Sequence, residues 1–297
     1  MNSNFAIVVD STTDLPHELA DKLGVVAIPY IFTLDGKEYL NYLDYREISV
    51  ADFYNTLRSG KMATTAQVTS FRYMETWEPF LKDGKDVLYM CLSSTLSKSY
   101  DQSMLAAQEA REAYPERTII TIDTKSASMG QGLLAYYASK ARDEGKTIEE
   151  VAAYVEDMIT KVNHWVMVDE LSHLRRGGRL SGAAAVFGTM LSVKPLLTIT
   201  DDGKLVPASK VRGRSKAIDY MVERMNKNFA NKDGTVAIVH GDAPEFAQQL
   251  KGAITAKFGE INCIVTNIGP VIGAHTGPGT LAVMYLGDKR PVLGGGD

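Results

Sequence analysis

The chain has 297 residues, of which 45% are hydrophobic and 23% charged, enough to bury one large core or two ordinary ones and unlike a disordered chain. A net charge of −4 supplies no overall positive field, which excludes nucleic acid as an expected partner and leaves at most transient contact with a membrane surface. There is no signal-peptide pattern over residues 1–21 and no apolar run of membrane-spanning length, so the expectation is a cytoplasmic protein.

Taken in chain order, FAIVVD (5–10) reads as a buried strand and DLPHELADKLG (14–24) as a helix ending at Gly24. VVAIPYIF (25–32) reads as a second strand, and ISVADFYNTLRSG (48–60) as a helix with Ser49 as N-cap. MATTAQVTSFRYMETWEPFLKDG (62–84) reads as a loop running into a helix. DVLYMCL (86–92) and RTIITID (117–123) read as strands on either side of a helix that ends near Tyr114. Helical patterns then cover 131–145 and 147–162, the second capped by Thr147. Strands separated by helices predict parallel βαβ units, so residues 1–162 are expected to form an α/β domain on a parallel sheet.

Beyond residue 162 the texture changes. HWVMVD (164–169), SVKPLLTITDDGKLVPASKVRG (192–213), GTVAIVHG (234–241), INCIVTNIG (261–269) and TLAVMYLG (280–287) read as strands, with Asp202-Gly203 as a hairpin turn. Helices at about 213–230 and 243–258 interrupt them. Residues 163–290 are therefore expected to be an α+β domain with a mainly antiparallel sheet, and residues 291–297 a flexible tail.

Five stretches are candidates for chemistry. CLSSTLSKSYDQ (91–102) follows a buried strand and opens a helix, where N–H groups and the Ser93 and Ser94 hydroxyls can meet an anion. Capping explains the same serines. MATTAQVTS (62–70) offers Thr64 and Thr65 as donors or as caps. ELSHLRRGGRLSG (170–182) sets Arg179 after a Gly pair, either as a solvated charge or as a fixed partner for a carboxylate. DTKSASMGQGLL (123–134) is a further polar junction, at the same presumed sheet edge as Asp10-Ser11-Thr12. Last, IGPVIGAHTGPGTLAVMYLG (268–287) surrounds His275 with glycine, as a tight turn or as a loop shaped around something bound. There is no P-loop, no GxSxG and no HExxH or CxxC, so neither self-contained ATP chemistry nor a metal is expected.

Together, DSTTDLP (10–16), the Thr64-Thr65 stretch, LSSTLSKSYDQS (92–103), DTKSASMGQG (123–132), LSHLRRGGRLSG (171–182) and GPVIGAHTGPGTLAV (269–283) resemble the signature blocks of the DegV family of bacterial fatty-acid-binding proteins. The resemblance implies two α/β domains with a long-chain fatty acid between them, and no cofactor or catalytic residue of the chain's own. It implies that a separate fatty-acid kinase subunit phosphorylates the carboxylate, giving acyl phosphate for phospholipid synthesis. By the same resemblance Thr64, Ser93 or Ser94, Arg179 and His275 fall on the carboxylate-binding positions, and Arg212 is the best docking residue for the kinase. Thr65-Ala66-Gln67 and Thr95-Leu96-Ser97-Lys98 depart from the family's Ser-Gln-Pro and Gly-Leu-Ser-Gly. The competing expectation is a serine-dependent lipid hydrolase or acyltransferase with Ser93 or Ser94 as nucleophile and His275 as base. The absence of a GxSxG elbow, and of a clear acid to orient the His, argues against it.

Overall fold

A computed structural model describes residues 4–182, 193–229 and 234–291. The N-terminal half opens with β1 (Phe5–Asp10), α1 (His17–Lys22) and β2 (Val25–Ile28). The apolar run 25–32 is not one strand. Pro29 interrupts it, and β3 (Tyr30–Leu34) leaves the first sheet to pair antiparallel with β4 (Lys37–Asn41). After α2 (Val50–Arg58), residues expected to be loop form β5 (Ala63–Ala66), which completes a small antiparallel sheet in the order β4-β3-β5. The chain continues through α3 (Ser70–Lys82), β6 (Asp86–Cys91), α4 (Ser99–Ala113), β7 (Ile119–Asp123), α5 (Met129–Asp143) and α6 (Ile148–Met158). The main sheet here is parallel, in the order β2-β1-β6-β7. β1 and β6 are buried over nearly their whole lengths, as expected of parallel strands covered on both faces.

The C-terminal half contains β8 (Val162–Met167), α7 (Ser172–Gly177), β9 (Val193–Ile199), β10 (Leu205–Arg212), α8 (Arg214–Asn228), β11 (Val236–His240), α9 (Pro244–Phe258), β12 (Cys263–Asn267), α10 (Pro270–Thr276) and β13 (Leu281–Leu286). Its six strands run β10-β9-β8-β13-β11-β12 and are antiparallel except for the β11–β12 pair. That pair is parallel because α9 carries the chain back over the sheet, a crossover that the strand-by-strand reading did not anticipate. Asp202-Gly203 closes the β9–β10 hairpin.

The two sheets share one core. α5 is buried on almost every face, through Leu133, Leu134, Ala135 and Ala138 among others, because it packs between β1 and β6 on one side and β11 and β13 on the other. Each fully buried leucine there contributes about 1.5–3 kcal/mol, so this helix is one of the ties between the two halves. No described helix is long and apolar enough to cross a membrane.

Candidate functional site

The segment around His275 is a helix, not the expected glycine turn. Pro270 occupies its first position, where a missing N–H costs nothing and a fixed φ favours the helical start. Asp14 accepts the Gly269 N–H at 2.9 Å, and the Tyr54 hydroxyl donates to the Ile268 carbonyl at 2.9 Å. Gly273 lies so close to α2 that a Cβ there would stand 2.5 Å from the Tyr54 hydroxyl oxygen and 2.9 Å from Phe53. The glycine is needed for helix-on-helix approach.

His275, in the last turn of α10, is thereby turned toward β5, where its Nε2 meets Thr65 Oγ1 at 2.8 Å. Its Nδ1 is buried without a partner among the described residues and rests against Gly177, where a Cβ would come within 2.1 Å. An unused lone pair is easier to bury than an unpaired N–H, so the proton belongs on Nε2, which donates to Thr65. The Thr65 hydroxyl hydrogen is then free for a further acceptor. Burial, reinforced by the positive charge of Arg179, lowers the pKa of His275 to about 4, so the ring is neutral near pH 7. Arg179 follows α7 and is anchored by donating from Nε to the Leu96 carbonyl at 3.0 Å.

These groups edge a cavity of about 270 Å³, whose polar lining includes Thr65, Ser97, Arg179 and His275, with Tyr30, Gln67, Lys98 and Thr276, beside Leu92, Leu96, Leu174, Leu205, Val271 and Ile272. A smaller cavity of about 50 Å³ lies deeper, between Val166, Ile199, Val239 and Met284 of the C-terminal sheet and Leu96 and Ala127 of the N-terminal half. Leu96, Ala127, Leu205, Ile272 and Thr276 line both. A polar cup thus opens into an oily sleeve running between the lobes. The cup offers hydroxyls and a guanidinium, a donor set that suits a carboxylate removed from water, while the imidazole holds Thr65 so that its hydroxyl can donate.

The residues that build the cup and sleeve come from positions 30 to 284, and the likeness to known proteins is as extensive. A family model described as "uncharacterised protein, DegV family" matches residues 4–288. The chain belongs to the DegV family. It is 40% identical over 287 residues to a DegV domain-containing protein of Clostridium perfringens, covering 96% of this chain and 98% of that one. Among solved structures it is similar to a fatty-acid-binding DegV family protein from Thermus thermophilus, at 30% identity and a TM-score of 0.87 over 96% of this chain and 99% of that one. A DegV lipid-binding protein from Thermotoga maritima follows at 27% identity and a TM-score of 0.86, over 97% and 100% of the two chains.

In this DegV chain the residues singled out from sequence divide into two groups. His275 and Arg179 stand together at the cup. Thr64 is exposed on β5 and does not line the cup, although it lines an adjoining recess with Arg179 and His275, while Thr65 faces His275. Ser93 and Ser94 are also elsewhere. Ser93 is fully buried and donates to the Gly203 carbonyl at 2.9 Å, as Thr95 does at 2.6 Å, so this loop grips the tip of the β9–β10 hairpin. Ser94 accepts from Lys125 Nζ at 3.2 Å, and its N–H donates to Asp123 at 3.1 Å. The serine that reaches the cavity is Ser97, four residues after Ser93, with the Tyr30 hydroxyl 3.4 Å away. Had β5 been read as a strand, its alternation would have selected Thr65 over Thr64. No pattern in LSSTLSKS selects Ser97.

The other polar junctions of the DegV chain brace the sheet edge. Asp10 is buried and accepts from the Leu92 N–H at 3.0 Å, Gln131 Nε2 at 3.2 Å and the Tyr89 hydroxyl at 3.2 Å. Asp123 instead pairs with Lys125 at 2.6 Å. Arg212 is exposed at the end of β10.

Proposed function

We propose that this protein binds a long-chain fatty acid, with the carboxylate in the Thr65–Ser97–Arg179–His275 cup and the acyl tail in the apolar sleeve. The observation that carries this reading is the Thr65–His275 contact at 2.8 Å in the wall of a cavity that Leu92, Leu96, Leu174, Leu205, Val271 and Ile272 also line. The solved relative from Thermus thermophilus, described as fatty-acid-binding, supports it. Each methylene buried contributes about 0.8 kcal/mol, so the tail dominates affinity and the cup sets orientation. The chain would act as a carrier, presenting the acid in the cytoplasm to a separate kinase subunit, with exposed Arg212 in the docking surface. In that step a carboxylate oxygen attacks the γ-phosphorus of a nucleoside triphosphate held by the kinase. An O–P bond forms, the bond to the β–γ bridging oxygen breaks, and the nucleoside diphosphate leaves. The division into residues 1–162 and 163–290 belongs to the same reading, since β8 begins at Val162 and the sleeve runs between the two halves.

Mass spectrometry of an organic extract of the purified protein tests the binding. A stoichiometric fatty acid is the expected result, and a lipid-free protein that also fails to take up palmitate would end the proposal. For the kinase step, charge reversal at Arg212 is expected to slow acyl phosphate formation while leaving lipid content unchanged. No geometric feature favours the hydrolase reading, because Ser93 is committed to Gly203 and His275 to Thr65.

A further inference from the structure

Adjoining the cup through Thr65, Arg179 and His275 is a second recess of about 170 Å³, to which Thr64, His173 and Arg176 also contribute. Among the described residues its lining holds two guanidiniums and two imidazoles and no carboxylate. Arg176 is within 3.1 Å of His173 Nδ1, and as donor it leaves the opposite ring N–H of His173 available. Thr64, which is exposed and does not line the fatty-acid cup, is one of the lining residues. The neighbouring acids Asp169, Glu170, Asp242 and Glu245 line a wider cleft that shares His173 and Arg176 with the recess; Asp169 is paired with Lys194 and Arg214, and Asp242 with Arg58. A concave site rich in donors and without an acid is matched to an oxyanion, and planar guanidiniums suit phosphoryl oxygens.

We propose that this recess is a phosphoryl-binding site, formed by Thr64, His173, Arg176 and Arg179, that holds the phosphate of an acyl phosphate whose tail remains in the sleeve. The proposal rests on the fatty-acid reading above. An acid seated in the cup has its carboxyl beside Thr65, Arg179 and His275, which are the groups the two spaces share. A phosphoryl group added to that carboxyl has the basic recess next to it. The recess thereby favours the phosphorylated ligand over the free acid without any change in the sleeve.

The test compares palmitate, hexadecyl phosphate (a stable stand-in for the acyl phosphate) and inorganic phosphate by calorimetry on delipidated protein. Arg176→Gln is expected to weaken hexadecyl phosphate by about tenfold, as for loss of a charge-assisted contact, while palmitate changes by less than about twofold. Thr64→Val, which removes no charge, should weaken hexadecyl phosphate in the same direction. Lys82→Gln, which removes one charge from the exposed end of α3, should do neither. Equal losses for both lipids in Arg176→Gln, or no loss for hexadecyl phosphate, would overturn the proposal. Should palmitate fail to bind wild type while inorganic phosphate binds in an Arg176-dependent way, the fatty-acid reading falls and the oxyanion site stands.

Discussion

Asp14 Oδ1 accepts the backbone N–H of Gly269 at 2.9 Å, joining the first turn after β1 to the start of α10 across 255 residues of sequence. The Ser128 hydroxyl donates to the other carboxylate oxygen at 2.5 Å. Because α10 carries His275, this buried acid sets the position of the helix that completes the cup.

Asp14 also makes stability depend on pH. Burial raises its pKa from 3.8 to about 7, so the folded state keeps a proton that the unfolded chain releases. Its contribution is complete below 3.8 and is lost as pH rises through about 7. The melting temperature of wild type relative to Asp14→Asn is therefore expected to fall steadily between about pH 4 and pH 7 and to level off above that. A difference that stays flat across that range would show that the carboxyl does not titrate there.

His275 gives the opposite slope. Burial first, and then the charge of Arg179, depress its pKa from 6.5 to about 4. The stability tied to the neutral ring is present above 6.5 and is lost as pH falls through about 4. A bound carboxylate offsets the charge of Arg179 and raises the ring's pKa, so fatty-acid binding near about pH 5 should take up more protons in wild type than in His275→Gln, where only the acid's own titration remains. Calorimetry in two buffers of different ionisation enthalpy measures this directly, and equal proton exchange in the two proteins would contradict the placement of the acid beside His275.

Thr65 and Thr64 differ by one position and by face. Losing a hydrogen bond to a charged acceptor costs about 1.5–3 kcal/mol, so Thr65→Val should weaken palmitate binding by about tenfold or more. Thr64→Val should leave palmitate affinity nearly unchanged. If the two variants lose equally, β5 is not presenting alternate faces to the ligand.

Gly177→Ala separates packing from helix propensity. Alanine is favoured over glycine in a helix by about 1 kcal/mol, yet its Cβ would stand 2.1 Å from His275 Nδ1. The imidazole must move away from its place beside Thr65, and palmitate affinity is expected to fall by about tenfold, the worth of one hydrogen bond, with little loss in melting temperature. Wild-type affinity in this variant would mean that the position of His275 is irrelevant to binding.

Ala127 lines both the outer and the deeper cavity, at the waist between them. Ala127→Leu should obstruct the way inward and shift the co-purifying acids toward shorter chains, read by mass spectrometry of the extract. An unchanged chain-length profile would place the tail elsewhere.

The alternation of short apolar strands with amphipathic helices up to residue 162, and the strand-rich texture beyond it, made the α/β architecture legible, because hydrophobic periodicity is a local property. The blocks around Arg179 and His275 were legible through their resemblance to the DegV signature blocks, since the residues alone left each open between a structural and a binding role. The choice of Thr65 over Thr64 depended on recognising a four-residue strand whose pairing partner lies some 30 residues away. Ser93 and Ser97 are alike in sequence, and what separates them is the hairpin tip at Gly203 that docks on one and not on the other. Local patterning thus determined the elements and the kind of chemistry they carry. Tertiary packing decided which hydroxyl faces the imidazole and where a space remains open, since a cavity exists only by the relation of side chains brought together from both halves of the chain.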